Sequence, residues 1–261
     1  MTEGRAPLLT SSEDGVGFLT LNRPEKRNAL DSVLVEALKL ALGDLDRDDD
    51  VRVIAIRGAG RDFCSGADLS AIRKMADATA VENLSDVDAM ADLFLQIRRL
   101  AKPVIAVVHG RALAGGCGLA TACDLVVASQ SASFGYPEVR IGFVPAMVMA
   151  ILRRNVSEKR AFELIVGGEM VSAKEAERIG LINRVMEDGE FERDVGDYLK
   201  ELAARSASAM MLCKRLLYHQ DSMGFEAAIR AGADLNVVAR MTEDTRAGVA
   251  RFLARADSSA S

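Results

Sequence analysis

The chain has 261 residues, 49% of them hydrophobic and 5% aromatic, with no tryptophan and a formal net charge of −5 at pH 7. It is long enough for an ample, mainly aliphatic core, in one large domain or in a core with an appendage. The acidic balance, without a long basic run, argues against sequence-independent nucleic-acid binding, which requires clustered Lys and Arg.

Residues 1–10 lack the apolar core of a secretory signal, and no uninterrupted apolar stretch is long enough to cross a bilayer. We therefore expect a cytoplasmic protein that does not enter the membrane.

His109 and His219, the two histidines, have no neighbouring ligand pattern, so we predict no metal site. The cysteines show no CxxC spacing and lie in apolar or glycine-rich surroundings. This favours buried free thiols at Cys64, Cys117, Cys123 and Cys213.

The first half of the chain alternates strands with helices. Residues 17–21 have the alternation of a strand, which Asn22-Arg23-Pro24 ends. Asp31 is a candidate N-cap for a helix that Asp48-Asp49-Asp50 closes. The apolar positions of that helix share one face: Leu34, Val35, Leu38, Leu42 and Leu45.

A second strand is predicted over residues 53–56, a helix over 83–100, and further strands over 103–108 and 125–128. Strands that alternate with helices and consist of continuous apolar runs indicate a parallel sheet covered on both faces. The fold class is therefore α/β.

After about residue 145 the pattern is mostly helical. Ser172-Ala173-Lys174-Glu175 is a capping box that opens a short helix, and residues 181–185 form a short extended piece. We divide the chain into a core, residues 1–200, and a C-terminal helical region, residues 201–261. Amphipathic helices are predicted at about 190–205, 208–219, 224–240 and 243–256.

The most informative segment lies between His109 and Glu138. An apolar strand opens into the glycines of Ala114-Gly115-Gly116-Cys117-Gly118, which begin a short helix, and Glu138 follows one strand later. Glycines at a helix start expose unpaired backbone N–H groups, which suit a developing oxyanion. A nearby carboxylate is the usual general acid or base. The sequence lacks G-x-G-x-x-G spacing, a Walker motif and a G-x-S-x-G elbow, which sets those nucleotide-binding and hydrolase classes aside.

This order of motifs, with Phe63-Cys64-Ser65-Gly66-Ala67-Asp68 upstream and Phe134-Gly135-Tyr136-Pro137-Glu138 downstream, resembles the crotonase (enoyl-CoA hydratase/isomerase) superfamily. The resemblance covers nearly the whole chain. It implies a crotonase-like (ClpP/crotonase) fold of repeated ββα units with a helical C-terminal part.

The resemblance also implies an acyl thioester of coenzyme A as substrate, so that CoA enters with the substrate and no separate cofactor is expected. By motif match, the amides of Ala67 and Gly115 are the oxyanion donors, and Glu138 is the acid or base. The first function implied is enoyl-CoA hydratase activity, the reversible hydration or dehydration of an enoyl-CoA in fatty-acid or branched-chain acyl-CoA metabolism.

One position departs from the family pattern. The second catalytic glutamate lies three residues past the central glycine, where this chain has Gly118. The alternative activity is therefore a Δ3,Δ2-enoyl-CoA isomerase, in which one carboxylate carries a proton between C2 and C4. Asp68 is a candidate second acid. An alternative of another class is a non-catalytic or RNA-associated crotonase-like binding protein, against which the acidic charge and Glu138 argue.

Substrate contacts are implied in three places. Residues 21–30 match the family's LNRP…NAL segment, where Lys26, Arg27 and Ala29 would border the CoA nucleotide, although the two basic residues fit a solvated loop equally well. Arg255, in the final helix, would meet CoA phosphates from this or a neighbouring subunit. The oxyanion turn supplies the remaining candidates: Ser65, Gly66, Asp68 and Leu69.

The resemblance implies a homotrimer or homohexamer. The C-terminal helices carry many apolar positions, from Met210 to Val238, more than a thin helical layer can easily hide.

A second departure from the family pattern follows Pro145, where many relatives continue with glycines and a TQRL motif. Met147 and Met149, in that departing segment, fit the protein core better than an acyl pocket.

Overall fold

The computed structural model describes residues 6–66 and 77–259, with side chains as far as residue 254. The strands in these ranges form a six-stranded sheet, of order β1-β2-β3-β4-β6-β9, and a three-stranded sheet, of order β5-β7-β8. The strands are β1 Leu8–Glu13, β2 Val16–Leu21, β3 Val53–Gly58, β4 Val104–Val108, β5 Arg111–Leu113, β6 Leu125–Ser129, β7 Ser133–Gly135, β8 Met170–Ser172 and β9 Arg184–Met186.

The helices cover both faces of the larger sheet and form the C-terminal region. They are α1 Ser32–Arg47, α2 Ala80–Arg99, α3 Gly115–Ala122, α4 Ala146–Asn155, α5 Glu158–Gly167, α6 Ala173–Arg178, α7 Phe191–Ala203, α8 Ala207–His219, α9 Phe225–Met241 and α10 Glu243–Ser259.

The larger sheet is parallel from β2 to β9, as predicted. Its exception is β1, which pairs antiparallel with β2 through a turn at Asp14 and Gly15, both at positive φ. Strand β1 has no counterpart among the elements predicted from the sequence. Beyond Leu8 the strand is exposed, so that its residues show no apolar alternation.

The helix predicted after Asp31 is confirmed in detail. The Asp31 side chain accepts a hydrogen bond from the amide of Leu34, and the five apolar positions of the predicted face are the buried residues of α1. They pack on one face of the sheet, together with α2 and α3. The other face is covered by α7, through Phe191, Val195 and Leu199. The prediction of a sheet covered on both faces is therefore confirmed.

The ββα repeat is visible in the order of the elements. Strand β4 of the large sheet is followed by β5 of the small sheet and then by α3; β6 is likewise followed by β7 and, after a 3-10 turn at Pro137–Ile141, by α4. The chain after β3 makes a parallel bridge from Cys64 to Ala112 in β5. The ends of these three segments, near Gly66, Gly115 and Glu138, therefore lie at one edge of the small sheet.

Two local predictions need correction. Ser172 caps α6 by accepting from the amide of Glu175, but the Glu175 carboxylate bonds to Arg178 and so does not close a capping box. A complete box occurs instead at Thr79 and Glu82, at the start of α2. Cys213 is exposed, unlike the other three cysteines, because its neighbours Leu212 and Lys214 take the buried positions of α8.

The C-terminal helices are fixed to the core by α8. The Lys214 ammonium is buried and lies 2.7 Å from Asp124 Oδ2, while it donates to the carbonyls of Ile97 and Lys102. By contrast, α9 has no buried residue, and Phe225 and Ile229 are 85% and 60% exposed. Within the described residues, no helix is long and apolar enough to span a membrane.

Candidate active site

Helix α3 begins at the glycines and presents the amide of Gly115 as its first N–H. The preceding Ala114 has φ 50° and ψ −127°, an unusual conformation for a residue with a side chain, and its amide donates to the Gly135 carbonyl at 2.8 Å. The first amides of a helix have no carbonyl acceptor within the helix. The Gly115 N–H is therefore suited to an anionic oxygen.

Gly66, at the end of the Phe63–Gly66 segment, packs against the start of helix α3. It has φ 85°, and a Cβ atom there would lie 2.8 Å from the Leu113 carbonyl oxygen and 3.1 Å from the Gly115 nitrogen. The positive φ and the close contacts both exclude a side chain here, so only glycine allows this turn to lie directly against the backbone that begins α3. Ala67, Asp68 and Leu69 follow directly and lie outside the described residues.

The two glycine segments are held in register by backbone hydrogen bonds. The amide of Cys64 donates to the Arg111 carbonyl at 3.1 Å, and that of Leu113 donates to the Cys64 carbonyl at 2.9 Å. On the other side, the amide of Ser65 donates to the Arg27 carbonyl and that of Leu30 to the Gly66 carbonyl. Both flanks of the turn that precedes Ala67 are therefore fixed.

An ion pair reinforces this register, and sequence reasoning missed it. The Asp62 carboxylate is 2% exposed and accepts from Arg111 Nε at 2.8 Å and Nη2 at 2.9 Å. The hydrogen bond from Arg111 holds the pKa of Asp62 below its ordinary value. Asp62 immediately precedes the first motif and Arg111 lies three residues before the second, but a separation of 49 residues gives no local signal of pairing.

Glu138 lies on the 3-10 turn Pro137–Ile141 and is half-buried. Its Oε2 atom is buried and has no hydrogen-bond partner among the described residues. Burial raises the pKa of Glu138, since the charged form loses hydration. A carboxyl group that has an unpartnered oxygen and a raised pKa is suited to general acid–base chemistry.

The space beside Gly118 is filled by apolar side chains. A Cβ atom on Gly118 would lie 2.4 Å from Val148 Cγ1 and 3.3 Å from Phe94 Cζ. Both residues are buried. In the departing segment Val148 is buried, whereas Met147 is partly buried against the core and Met149 is 38% exposed.

The segment expected to border CoA is built around Asn28, which the sequence analysis did not single out as a site residue. Asn28 is buried at φ 54°, and its side-chain amide donates to the carbonyls of Ala59 and Asp62. Lys26 and Arg27 are exposed beside it, whereas Ala29 is buried and its carbonyl accepts from Arg23. The side chain of Arg255 lies outside the described residues.

Two other kinds of chemistry, a cysteine nucleophile and a metal site, can be tested against the described residues. Burial raises the pKa of the Cys64 and Cys117 thiols to about 12, so neither is a thiolate nucleophile near neutral pH. No group of three His, Cys, Asp or Glu in this part of the chain is placed to hold a metal ion.

Comparison with known proteins agrees with this geometry. The family model for enoyl-CoA hydratase/isomerase matches residues 11–259. A Thermus thermophilus protein whose name provisionally assigns it as an enoyl-CoA hydratase is 39% identical over 91% of this chain and 94% of its own. The 2,3-dehydroadipyl-CoA hydratase of Escherichia coli is 33% identical over 94% of this chain and 95% of its own.

Among solved structures, an enoyl-CoA hydratase of Mycobacterium smegmatis superposes with a TM-score of 0.92 at 35% identity. The match covers 96% of this chain and 97% of that one. The predicted crotonase-like fold is therefore confirmed, and the chain belongs to the enoyl-CoA hydratase/isomerase family.

Proposed function

We propose that this protein is an enoyl-CoA hydratase that reversibly adds water across the C2–C3 double bond of an enoyl-CoA thioester. The observation that carries the proposal is the meeting of three segments: Gly66 lies against the start of α3, and the turn after β7 carries Glu138, whose buried Oε2 atom has no hydrogen-bond partner among the described residues. Relatives named as enoyl-CoA hydratases, similar over most of the chain, support the same activity.

In this mechanism the thioester oxygen accepts hydrogen bonds from the amides of Gly115 and Ala67. Glu138 takes a proton from water as the water oxygen bonds to C3, which places the negative charge on the thioester oxygen as an enolate. Each of the two donors is worth about 3–4 kcal/mol in the transition state. Glu138 then gives this proton to C2, which leaves the carboxylate as it began, and the reverse sequence dehydrates the 3-hydroxyacyl thioester.

The substrate would enter along the exposed Lys26 and Arg27, whose charges suit the CoA phosphates. Ser65 and Gly66 would then border the thioester, and the family resemblance assigns substrate contacts to Asp68, Leu69 and the buried Ala29 as well. Arg255, from this or a neighbouring subunit, completes the phosphate contacts. The reaction as proposed needs no metal or redox cofactor, because the oxyanion donors and one carboxyl group supply its charge stabilisation and proton transfer.

The second candidate activity, Δ3,Δ2-enoyl-CoA isomerisation, is favoured by Gly118. No carboxylate projects from this position, and Val148 and Phe94 fill the adjoining space. Glu138 would then act alone. It would remove a proton from C2 of a 3-enoyl thioester and return it to C4, and the oxyanion donors would stabilise the dienolate between the two steps.

We propose assembly into closed trimers or pairs of trimers. The apolar side chains of α9 and α10 support this, since Phe225, Val237, Phe252 and Leu253 are each more than half exposed in the single chain. Such a surface on three symmetric copies would bury itself in repeated heterologous contacts.

Product analysis with 2-enoyl-, 3-enoyl- and 3-hydroxyacyl-CoA thioesters separates the two activities. A hydratase interconverts the 2-enoyl and 3-hydroxyacyl forms, whereas an isomerase interconverts the two enoyl forms. A Glu138→Gln variant serves as the control for contaminating enzymes. Absence of turnover with every thioester would contradict both proposals.

A further inference from the structure

Tyr136 is a fully buried residue placed between two parts of the site. It follows strand β7 and stands two positions before Glu138, at the start of the 3-10 turn that carries this glutamate. Its side chain is 0% exposed and is among the largest fully buried side chains described. An aromatic hydroxyl at such depth needs a hydrogen-bond partner.

That partner is Thr121, on the helix that begins with Gly115. The Tyr136 hydroxyl lies 3.1 Å from Thr121 Oγ1, which in turn lies 2.9 Å from the Cys117 carbonyl oxygen. A carbonyl only accepts, so the Thr121 proton points to Cys117 and Thr121 Oγ1 accepts from Tyr136. The hydrogen bonds therefore run in one direction, from Tyr136 through Thr121 to the backbone of α3.

A second bond joins the same two elements from the other side. The Gly135 carbonyl, next to Tyr136 in the chain, accepts the amide of Ala114, which directly precedes Gly115. The turn that bears Glu138 is thus attached to α3 at two points: at Ala114, just before the helix begins, and at Thr121, near the end of the helix. Two attachments fix the orientation of the turn as well as its distance from the helix.

We propose that Tyr136 is a positioning residue that sets the geometry of the Glu138 carboxyl relative to the Gly115 amide. This inference rests on the proposed acyl-CoA chemistry of the same site. Misplacement of a catalytic group by about 1 Å can cost on the order of a hundredfold in rate. Tyr136 itself does not touch the reacting atoms, so its loss should lower turnover without abolishing it.

The variant Tyr136→Phe removes only the hydroxyl. We expect kcat to fall by about tenfold to a hundredfold with little change in KM, since substrate-binding groups are untouched. Thr121→Val removes the acceptor at nearly constant shape and should have the same effect. The double variant should be no worse than either single variant, because both changes break one hydrogen-bonded chain.

A matched control is available in Tyr218, whose hydroxyl also bonds to a partly buried partner, Asp124 Oδ1 at 2.6 Å. Tyr218→Phe should lower the melting temperature to a similar extent while kcat stays at the wild-type level. If folded Tyr136→Phe and Thr121→Val keep the wild-type kcat, or if Tyr218→Phe lowers it equally, Tyr136 is only a packing residue.

A titration that does not depend on turnover separates this inference from the proposed function. The Glu138 carboxyl is followed by infrared difference spectroscopy, with Glu138→Gln to identify its band. The interacting groups on neighbouring elements, the Cys117 thiol and the Tyr136 phenol, stay neutral near neutral pH because burial raises both pKa values. A looser turn admits water, so the pKa of Glu138 should fall toward its ordinary value in Tyr136→Phe. An unchanged pKa would overturn the inference even if wild-type turnover with acyl-CoA were absent.

Discussion

Val148 occupies the space into which any side chain at Gly118 would extend, with 2.4 Å between Val148 Cγ1 and the position of a Gly118 Cβ atom. Restoring a carboxylate there therefore requires two changes. Gly118→Glu alone should lower the free energy of unfolding by about 1–3 kcal/mol through overpacking and should not raise hydration of crotonyl-CoA.

The double variant Gly118→Glu/Val148→Ala should recover part of that stability and show faster hydration. Denaturant unfolding and the absorbance of the enoyl thioester measure the two effects. Gly118→Gln/Val148→Ala is the control, because it has the same bulk without an ionisable group. Equal hydration rates in the Glu and Gln variants would mean that the added carboxylate does not take part.

Glu138→Gln should nearly abolish turnover and yet stabilise the protein above neutral pH. Burial raises the folded-state pKa of Glu138, so the fold favours the neutral form. That contribution is present below the unfolded-state pKa and is lost as pH rises through the folded-state pKa. The gain in melting temperature should therefore be clear at about pH 8 and disappear toward about pH 4. An active, folded Glu138→Gln enzyme would assign the proton transfer to another residue, with Asp68 the first to test.

Gly115→Pro should reduce turnover by about a hundredfold or more, because it removes one N–H donor from the oxyanion. Proline suits the first position of a helix, but Ala114 is not in a conformation that residues before proline favour, so circular dichroism must first show a native fold. Gly115→Ala is the matched control. It keeps the N–H, and its Cβ atom would have its nearest neighbours at 3.9 Å. Similar losses in both variants would contradict the donor assignment.

Asp62→Asn should cost about 2 kcal/mol of stability at neutral pH, because it leaves Arg111 without its buried carboxylate. Arg111 lowers the folded-state pKa of Asp62, so the contribution is present above the unfolded-state pKa and is lost as pH falls through the folded-state pKa. The difference from wild type should shrink in acid. Asp44→Asn, in the exposed pair with Arg47, should change stability by less than about 0.5 kcal/mol. Equal effects of the two substitutions would remove the special role of the Asp62 pair.

Light scattering after gel filtration tests the assembly. For chains of 28.0 kDa, a trimer has a mass of about 84 kDa and a hexamer about 168 kDa. Ile229→Glu, on the exposed face of α9, should lower the mass, and Glu226→Gln on the same helix should not. An active species with the mass of one chain would refute the assembly and any contribution of a neighbouring Arg255.

The sequence predicts the parts of this fold that have a regular apolar pattern. The buried face of α1 repeats with the helical period, and Asp31 caps it locally. The strands of the small sheet are only three residues long, as in Arg111–Leu113 and Ser133–Gly135, too short for any period to appear. Their positions follow instead from the glycine motifs beside them.

The candidate site divides in the same way. Gly115 and Glu138 lie in contiguous motifs, so the resemblance identifies them. The pairing of Tyr136 with Thr121, and of Gly118 with Val148, depends on how separate elements pack. Such pairs leave no trace in the local pattern of a single sequence, because each partner alone is an ordinary apolar or small residue.

The ion pair of Lys214 with Asp124 affects when the chain can finish folding during its synthesis. The Asp124 carboxylate pairs with the Lys214 ammonium and accepts a hydrogen bond from the Tyr218 hydroxyl. Both groups come from helix α8, about ninety residues later in the sequence. A nascent chain that has not yet emerged past α8 lacks both of these partners and also Leu212, which α8 buries against the rest of the chain. We therefore expect the sheet to remain incompletely consolidated during synthesis until α8 has left the ribosome, so that protein truncated before residue 207 accumulates in aggregates.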